Sequence, residues 1–190
     1  GTVMKALLNK YDNYALSVSA TTRNPRPGEE NGREYFFLTE SQFEDMIKND
    51  ELIEHARYVD HYYGTPKKYV EEKMAAGKDV ILEIEIQGAL NIKKKFPDAL
   101  LVFIVPPTAE DLKKRLTGRG TESAEVIEKR LRRAAEESDG MDSYDYIVVN
   151  DDIDTCVEDL HSLIRSSHFK ESANTDLVAR MKQELHDMTK

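Results

Sequence analysis

Short apolar runs that alternate with amphipathic segments limit the possible folds of this chain more than any other feature. Three runs, at residues 80–86, 100–105 and 146–149, have the length and apolar character of buried strands. Segments with helical spacing follow at 89–95, after Thr108, and from Asp152 to about Arg165. Buried strands that alternate with helices are typical of a parallel sheet covered on both faces. The sequence therefore predicts an α/β fold.

Residues 20–77 break this alternation and are predicted to form a small α+β insertion. A strand at 15–20 leads into a Pro- and Gly-rich loop at 21–32. The elements predicted after it are a strand at 35–38, a helix at 40–49 with Thr39 or Ser41 as N-cap, one or two strands at 52–63, and a helix that begins at Pro66 and ends at Gly77. An extra helix is expected in the tail after Phe169, where the apolar residues that share one face are Leu177, Met181 and Leu185.

Composition and charge exclude several classes of protein. With 39% apolar and 33% charged residues, the chain is too hydrophobic for a disordered protein. The net charge of −9 argues against a general nucleic-acid binder, and the longest apolar run, at 99–105, is too short to span a bilayer. Cys156 is the only cysteine, and no charged-then-apolar leader opens the sequence. We therefore expect a cytoplasmic protein that binds neither nucleic acid nor membrane.

Two arginines three residues apart, Arg23 and Arg26, lie on a loop that Pro25 and Pro27 stiffen. Guanidinium groups bind phosphate oxygens bidentately, and a preorganised loop loses less entropy on binding. The hydroxyl groups that are available to complete such a pocket belong to Ser19, Thr21, Thr22 and Tyr35. From spacing alone, a solvated surface loop with ordinary arginines is an equally good interpretation.

The string around these arginines, Ser-x-Ser-x-Thr-Thr-Arg-x-Pro-Arg-x-Gly-Glu-x-x-Gly-x-x-Tyr from Ser17 to Tyr35, resembles the GMP-binding segment of guanylate kinases. Further segments match that family in order along the chain. They are Leu52-Ile-Glu54, Tyr62-Tyr-Gly-Thr65, Leu82-Glu-Ile-Glu-Ile-Gln-Gly88, Pro106-Pro107, Leu116-Thr-Gly-Arg-Gly-Thr121, Lys129-Arg-Leu131 and Val149-Asn-Asp151. The resemblance covers residues 1–165.

This resemblance implies one nucleotide-kinase domain over residues 1–190, with the parallel sheet of P-loop nucleoside-monophosphate kinases flanked by helices. The sheet core would comprise 1–18, 78–116 and 140–168, the GMP-binding insertion 19–77, a helical lid about 117–139, and a tail 169–190. The implied reaction transfers the γ-phosphoryl group of ATP to GMP, with Mg²⁺ bound to ATP as the cofactor.

Carried over by position, the resemblance also implies which residues bind GMP. The GMP phosphate would be held by Arg23, Arg26, Tyr35 and Tyr63, and the guanine by Ser19, Glu54, Thr65 and Glu85. Guanine presents N1–H and an N2 amino group side by side, so one carboxylate can accept from both. Adenine would leave such a buried carboxylate unpaired, which disfavours AMP. Outside this matched string, a glutamate such as Glu54 is more often a surface residue.

Glu83 and Glu85 are two acids at the end of the run 80–86. Because the run is predicted to be a buried strand, alternation places both carboxylates on the same face, at the edge where ligands of α/β sheets bind. The family often has Asp at these positions. The sequence therefore leaves open how far each residue contacts guanine and how far it supports magnesium.

The arginines of the charged region around a predicted helix at 123–138 fall into two groups. Arg115, Arg119 and Arg130 match family positions in and beside the lid and are the predicted catalytic residues, because phosphoryl transfer depends on neutralising charge at the migrating group. Arg119 would also bind ATP. Arg132 and Arg133 are better explained as members of i,i+4 ion pairs on an exposed helix. Outside this group of arginines, Asn150 resembles the family residue that lines the adenine side of the ATP site.

A phosphate-binding loop of the form Gly-x-x-x-x-Gly-Lys-[Ser/Thr] does not occur in residues 1–190. Residues 1–8 resemble the family sequence directly after the loop lysine, so Gly1 and Thr2 are expected beside ATP. The loop and a first strand are expected in a segment of roughly 15–20 residues directly upstream. The alternative is a catalytically inactive guanylate-kinase-like module that binds partner proteins. Retention of the GMP-binding set together with Arg119 and Arg130 favours the enzyme.

Overall fold

The computed structural model describes residues 1–58, 60–118 and 124–190. These residues form two compact units, which we call unit 1 (residues 1–97) and unit 2 (residues 98–190). The prediction of a single domain with a core, an insertion, a lid and a tail stays a prediction.

Unit 1 contains a parallel pair of strands, β1 (Tyr14–Leu16) and β6 (Asp79–Ile81). Helix α1 (Thr2–Lys10) packs on β1, and its apolar face is buried through Val3, Met4 and Leu7. Helices α3 (Lys67–Ala75) and α4 (Ile86–Lys95) flank β6 in the chain. Pro66 is the N-cap of α3, and Gly77 follows its end with φ +77°, a left-handed conformation that glycine adopts without strain. The predicted Pro-start and Gly-stop of this helix are confirmed.

A four-stranded mixed sheet, in the order β3-β2-β5-β4, forms the rest of unit 1. Its strands are β2 (Ser19–Thr21), β3 (Tyr35–Phe37), β4 (Leu52–Tyr58) and β5 (His61–Pro66). Helix α2 (Glu40–Lys48) begins at Thr39, whose side chain and Gln42 form a capping box, a device that typically contributes about 1 kcal/mol. Phe43 of α2 packs with Ala20 and Leu52 in a buried cluster beside this sheet. The predicted α+β insertion is confirmed.

The prediction of a single strand at 15–20 is wrong, because the backbone changes its pairing strands within this segment. Tyr14–Leu16 pairs with β6, and the N–H of Ser17 still donates to the carbonyl of Ile81 at 2.8 Å. From Ser19 onward the backbone pairs with β3 and β5 instead. One apolar run therefore supplies strands to two sheets, which periodicity alone does not reveal.

The strand predicted at 80–86 is also too long. Strand β6 ends at Ile81, residues 82–85 are irregular, and Ile86 already begins α4 with Glu85 as its N-cap. The apolar residues of this run are thus shared between a strand and a helix start, which have the same local composition. The prediction that Glu83 and Glu85 lie on one face of a strand is wrong.

Unit 2 is built on a second parallel pair, β7 (Val102–Val105) and β8 (Tyr146–Val149). Its helices are α5 (Ala109–Thr117), α6 (Ala124–Ser138), α7 (Ile153–Ser167) and α8 (Thr175–Asp187). The side chain of Thr108 caps α5 and that of Asp152 caps α7. The predicted tail helix is confirmed as α8. The predicted burial of the strand at 146–149 is wrong, since Ile147 and Val149 are 48% and 49% exposed.

Candidate functional site

Arg23, on the loop after β2, is held in place by the carboxylate of Glu29. Its Nη1 and Nη2 donate to Oε2 and Oε1 of Glu29, each at 3.0 Å, and the backbone N–H of Arg26 donates to Glu29 Oε2 at 2.7 Å. The hydrogen bond from Arg23 lowers the pKa of the Glu29 carboxyl below its usual value. The loop therefore closes on itself around an ionised carboxylate, and its guanidinium is oriented before any ligand binds.

Aromatic rings surround the same guanidinium. Its carbon lies 5.4 Å from the centre of the Tyr35 ring and 5.7 Å from that of Phe37. The Tyr63 and Tyr35 rings are 6.1 Å apart, edge to face, and Tyr63 hydrogen-bonds the side chain of Arg23. Three of the four predicted phosphate ligands, Arg23, Tyr35 and Tyr63, thus lie in one cluster. Arg26, the fourth, has an exposed side chain on the same loop.

A buried carboxylate lies nearby on the mixed sheet. Glu54 on β4 is only 6% exposed, and its Oε1 accepts a hydrogen bond of 2.8 Å from the hydroxyl of Thr65 on β5, which is fully buried. Antiparallel pairing of β4 with β5 brings the two side chains together although eleven positions separate them in the chain. Two of the predicted guanine-binding residues, Glu54 and Thr65, are therefore hydrogen-bonded to each other.

The charge of Glu54 is set by three neighbours. Burial raises the pKa of its carboxyl, the hydrogen bond from Thr65 lowers it, and the negative charge of Glu85 raises it further. Lys95, in the last turn of α4, opposes this with its positive charge, while its Nζ donates to the carbonyl of Ile53 at 2.7 Å. Glu85 is thus electrostatically coupled to Glu54, as expected of two residues at one site.

Three of the residues whose hydroxyl groups were expected at the pocket lie in β2 and directly after it. Ser19 is paired in register with Tyr35 on the neighbouring strand. Thr21 donates from its hydroxyl to the carbonyl of Tyr62 at 2.9 Å and accepts from the N–H of Arg23, and Thr22 accepts from the N–H of Tyr62 at 2.9 Å. These two threonines bind the loop to β5 and do not line a pocket, contrary to the expectation from their sequence position.

Glu83 and Gly1 lie together in unit 1. Glu83 is exposed, and its carboxylate accepts a hydrogen bond from the backbone nitrogen of Gly1, the residue before α1. This contact places the predicted ATP-side residues Gly1 and Thr2 beside an accessible carboxylate.

Two of the predicted residues of unit 2 contact each other. Arg115, in the last turn of α5, donates from Nη1 to the carbonyl of Asn150 at 2.6 Å and from Nη2 to that of Asp151 at 3.3 Å. The loop between β8 and α7, which carries Asn150, is thus fixed by the guanidinium.

Helix α6 carries the remaining arginines. Arg130 is exposed on it. Arg132 pairs with Glu128 and Arg133 with Glu137, each at 2.7 Å. The prediction of i,i+4 ion pairs for these two arginines is confirmed. Arg119 lies outside the described residues.

The sequence model of the family described as guanylate kinase matches residues 1–167 of the chain. This match covers unit 1, residues 98–167 of unit 2 and every predicted site residue. The chain belongs to the guanylate kinase family. Membership confirms the predicted α/β nucleotide kinase that phosphorylates GMP at the expense of ATP, and the inactive protein-binding module is not favoured.

Individual relatives agree with this assignment. A guanylate kinase of Caldanaerobacter subterraneus subsp. tengcongensis is 46% identical over 184 residues, which cover 97% of this chain and 89% of that protein. One from Lactococcus lactis subsp. lactis is 49% identical over 170 residues, or 90% of this chain and 83% of that protein. The crystal structure of the guanylate kinase from Anaplasma phagocytophilum superposes with a TM-score of 0.73 at 33% identity, covering 89% of this chain and 82% of that one.

Three contributors to the site were missed in the sequence. Glu29 orients Arg23, Phe37 lies against its guanidinium, and Lys95 faces Glu54. An acid three residues after Arg26 in a stiffened loop was a usable signal for Glu29. Lys95 gave none, because it lies 41 positions from Glu54 within three consecutive lysines.

The described residues form neither a cluster suited to a metal ion nor a helix suited to a membrane. Within 1–58, 60–118 and 124–190, no three His, Cys, Asp or Glu side chains are grouped so that they could hold a metal ion. In that same part of the chain, each helix is too short or too polar to cross a bilayer.

Proposed function

We propose that unit 1 binds the acceptor GMP in two halves, the phosphate at the Arg23 cluster and the guanine at Glu54. The observation that carries this proposal is the buried carboxylate of Glu54, 6% exposed and bonded to Thr65. A buried carboxylate is costly unless its lone pairs are satisfied. Thr65 satisfies one oxygen, and the paired N1–H and N2–H donors of guanine complete the set.

The phosphate half is supported by preorganised donors. The Arg23 guanidinium already holds one bidentate anion, the Glu29 carboxylate, at 3.0 Å. Its remaining donors, with Arg26 and the hydroxyls of Tyr35 and Tyr63, supply the positive charge and hydrogen bonds that a nucleotide monophosphate needs. Ser19 and Glu85 complete the guanine half in this proposal.

The donor half of the reaction is assigned to the residues that match the family's lid and ATP-binding positions. Arg115, Arg119 and Arg130 are assigned the neutralisation of charge during transfer, Asn150 the adenine, and Gly1 and Thr2 the ATP phosphates. The two hydrogen bonds from Arg115 to the Asn150 loop support a role for Arg115 in placing that loop.

Mg²⁺ bound with ATP is the proposed cofactor, and it supplies charge neutralisation between phosphates. A kinase site usually offers Mg²⁺ only one or two carboxylates, and the exposed carboxylate of Glu83, beside Gly1, fits that requirement. Glu83 would hold the ion, directly or through water. A cytoplasmic location, the compartment of ATP and GMP, is part of the same proposal and is supported by the single cysteine, Cys156, which is buried.

The test is calorimetric titration of GMP and AMP into the wild-type protein and Glu54→Gln. The amide replaces one acceptor by a donor that faces guanine, so GMP affinity is expected to fall by about 1–3 kcal/mol. The matched control is Glu71→Gln, an exposed acid on α3, which should leave GMP affinity unchanged. Equal GMP affinity in wild type and Glu54→Gln removes Glu54 from the guanine site.

A further inference from the structure

Gly88 lies directly against the guanine-facing carboxylate. It is a buried residue in the first turn of α4. A Cβ atom added at this position would lie 3.0 Å from Glu54 Oε2, closer than real Cβ contacts normally are, and 3.5 Å from its Cδ. The next neighbour, Ile84 Cδ1, is at 3.5 Å, an ordinary van der Waals distance. The absence of a side chain at Gly88 therefore leaves room for one carboxylate oxygen of Glu54, Oε2.

The backbone of Glu54 cannot move away to make room for a side chain at position 88. On its other side lies Gly64 of β5, where an added Cβ would meet the Glu54 carbonyl at 2.8 Å and the Phe43 ring at 3.0 Å. Strands β4 and β5 are thus in close contact at Glu54. The part of Glu54 that can adjust is its carboxylate, the far end of a flexible side chain.

Helix α4 is fixed as well. Lys95 at its end donates to the carbonyl of Ile53, the residue before Glu54, at 2.7 Å. Ala89 and Ile92 bury the same face of the helix as Gly88. A side chain at position 88 would therefore displace Oε2 and leave the helix where it is.

Helix geometry does not call for glycine here. Gly88 has no left-handed φ, unlike Gly77, and alanine is the better helix former inside a helix. We propose that Gly88 is a specificity-determining residue of the acceptor site, which reserves the position of Glu54 Oε2, the oxygen not bonded to Thr65, for guanine. This inference rests on the proposed role of Glu54 in reading guanine.

The contribution of Oε2 depends on the donors of the base. GMP offers N1–H and the N2 amino group to the carboxylate, whereas inosine monophosphate offers N1–H alone. Displacement of one oxygen by a few tenths of an ångström disturbs a two-point contact more than a one-point contact. Gly88→Ala should therefore weaken GMP binding more than inosine monophosphate binding.

The experiment is a double-mutant cycle with wild type, Gly88→Ala, Glu54→Ala and the double variant, measured by calorimetric titration of both nucleotides and by thermal unfolding. In the wild-type background, Gly88→Ala should weaken GMP binding about tenfold, within the range of coupling between touching residues. In the Glu54→Ala background it should change GMP binding less than twofold. It should raise Tm only in that background, where helix propensity acts without the clash.

Each other outcome has one meaning. Equal effects of Gly88→Ala in both backgrounds, on affinity or on Tm, overturn the inference, because the alanine would then act on something other than the carboxylate. If Gly88→Ala fails to fold while the double variant folds, the clash with the carboxylate is established and the inference stands. If neither folds, it is overturned. Unchanged GMP affinity in Glu54→Ala contradicts the proposed function itself and thereby the inference, and is distinguishable from these results.

Discussion

In unit 1 the proposed ligand-binding side chains Arg23 and Glu54 are fixed by contacts within a loop and across strands, whereas in unit 2 the proposed catalytic residues Arg115 and Arg130 lie on charged helices. Arg23 is held by Glu29 and two rings, and Glu54 by Thr65. In contrast, α6 has no buried residue among its fifteen, and the salt bridges of Arg132 and Arg133 are exposed and half-exposed i,i+4 pairs of the kind that contribute about 0.3–0.5 kcal/mol.

The difference follows from what each region is proposed to do. Discrimination between guanine and adenine needs donors and acceptors that cannot rearrange, because an adaptable site accepts either base. Charge neutralisation during transfer needs cations that come close to the phosphates only when both substrates are bound. We therefore expect variants of unit 1 to change binding and variants of α6 to change turnover.

Among the variants that test this contrast, Arg130→Ala should have the largest effect, which is a loss of turnover. Loss of a cation that acts on the migrating group is expected to lower kcat by on the order of 10²–10³ with modest changes in KM. The measurement is a coupled ADP-release assay, with Arg132→Ala as the matched control because its guanidinium is engaged by Glu128. Similar turnover in the two variants would place Arg130 with the ion-pairing arginines of α6.

A smaller effect, on substrate selectivity, is expected at Arg26. Its guanidinium is exposed on the loop that Glu29 closes, so Arg26→Ala should preserve the fold of the loop and weaken the phosphate contact by about 1.5–3 kcal/mol. Steady-state kinetics should then show KM for GMP raised roughly tenfold or more and KM for ATP nearly constant. A parallel rise in both constants would mean that this loop does not define the acceptor site.

The smallest expected effect is a pH dependence at Glu54. Because burial raises the pKa of this carboxyl, it becomes protonated above the ordinary value of about 4.3 as pH falls. Protonation removes an acceptor, so GMP affinity should fall through this step. Stability of the free protein changes in the opposite direction, since a raised folded-state pKa contributes stability below the unfolded value and loses it as pH rises.

The matched measurement for this step is the ratio of GMP affinities of wild type and Glu54→Gln between pH 4 and pH 8. The GMP phosphate, with a pKa of about 6, titrates in both proteins and cancels in the ratio. A ratio that stays constant over the range would show that ionisation of Glu54 has no part in GMP binding.

Much of this organisation was predictable from the sequence, for identifiable physical reasons. Caps and turn residues such as Thr39, Thr108 and Gly77 have local chemistry, so helix limits were predicted within a few residues. The matched strings assigned Glu54 and Thr65 to one site, and the two side chains are hydrogen-bonded.

The remainder depended on contacts between distant parts of the chain. Nothing local marks Ser17 and Val18 as the point where the backbone leaves one sheet for another. The end of β6 at Ile81 and the start of α4 at Ile86 share one apolar run. The contact between Gly88 and Glu54 joins positions 34 residues apart, and only the packed structure reveals it.

The central claim, that GMP is recognised by unit 1, is tested most directly by the dissociation constant of GMP in a matched pair of arginine variants. Calorimetric titration of GMP, without ATP, is compared for wild type, Arg23→Ala and Arg130→Ala. Loss of a charged, preorganised phosphate donor should weaken GMP binding of Arg23→Ala by about 3 kcal/mol, or roughly 100-fold. Arg130→Ala should bind GMP within about threefold of wild type, because differences of that size amount to less than 1 kcal/mol. Wild-type affinity in Arg23→Ala, or an equal loss in both variants, would contradict the account.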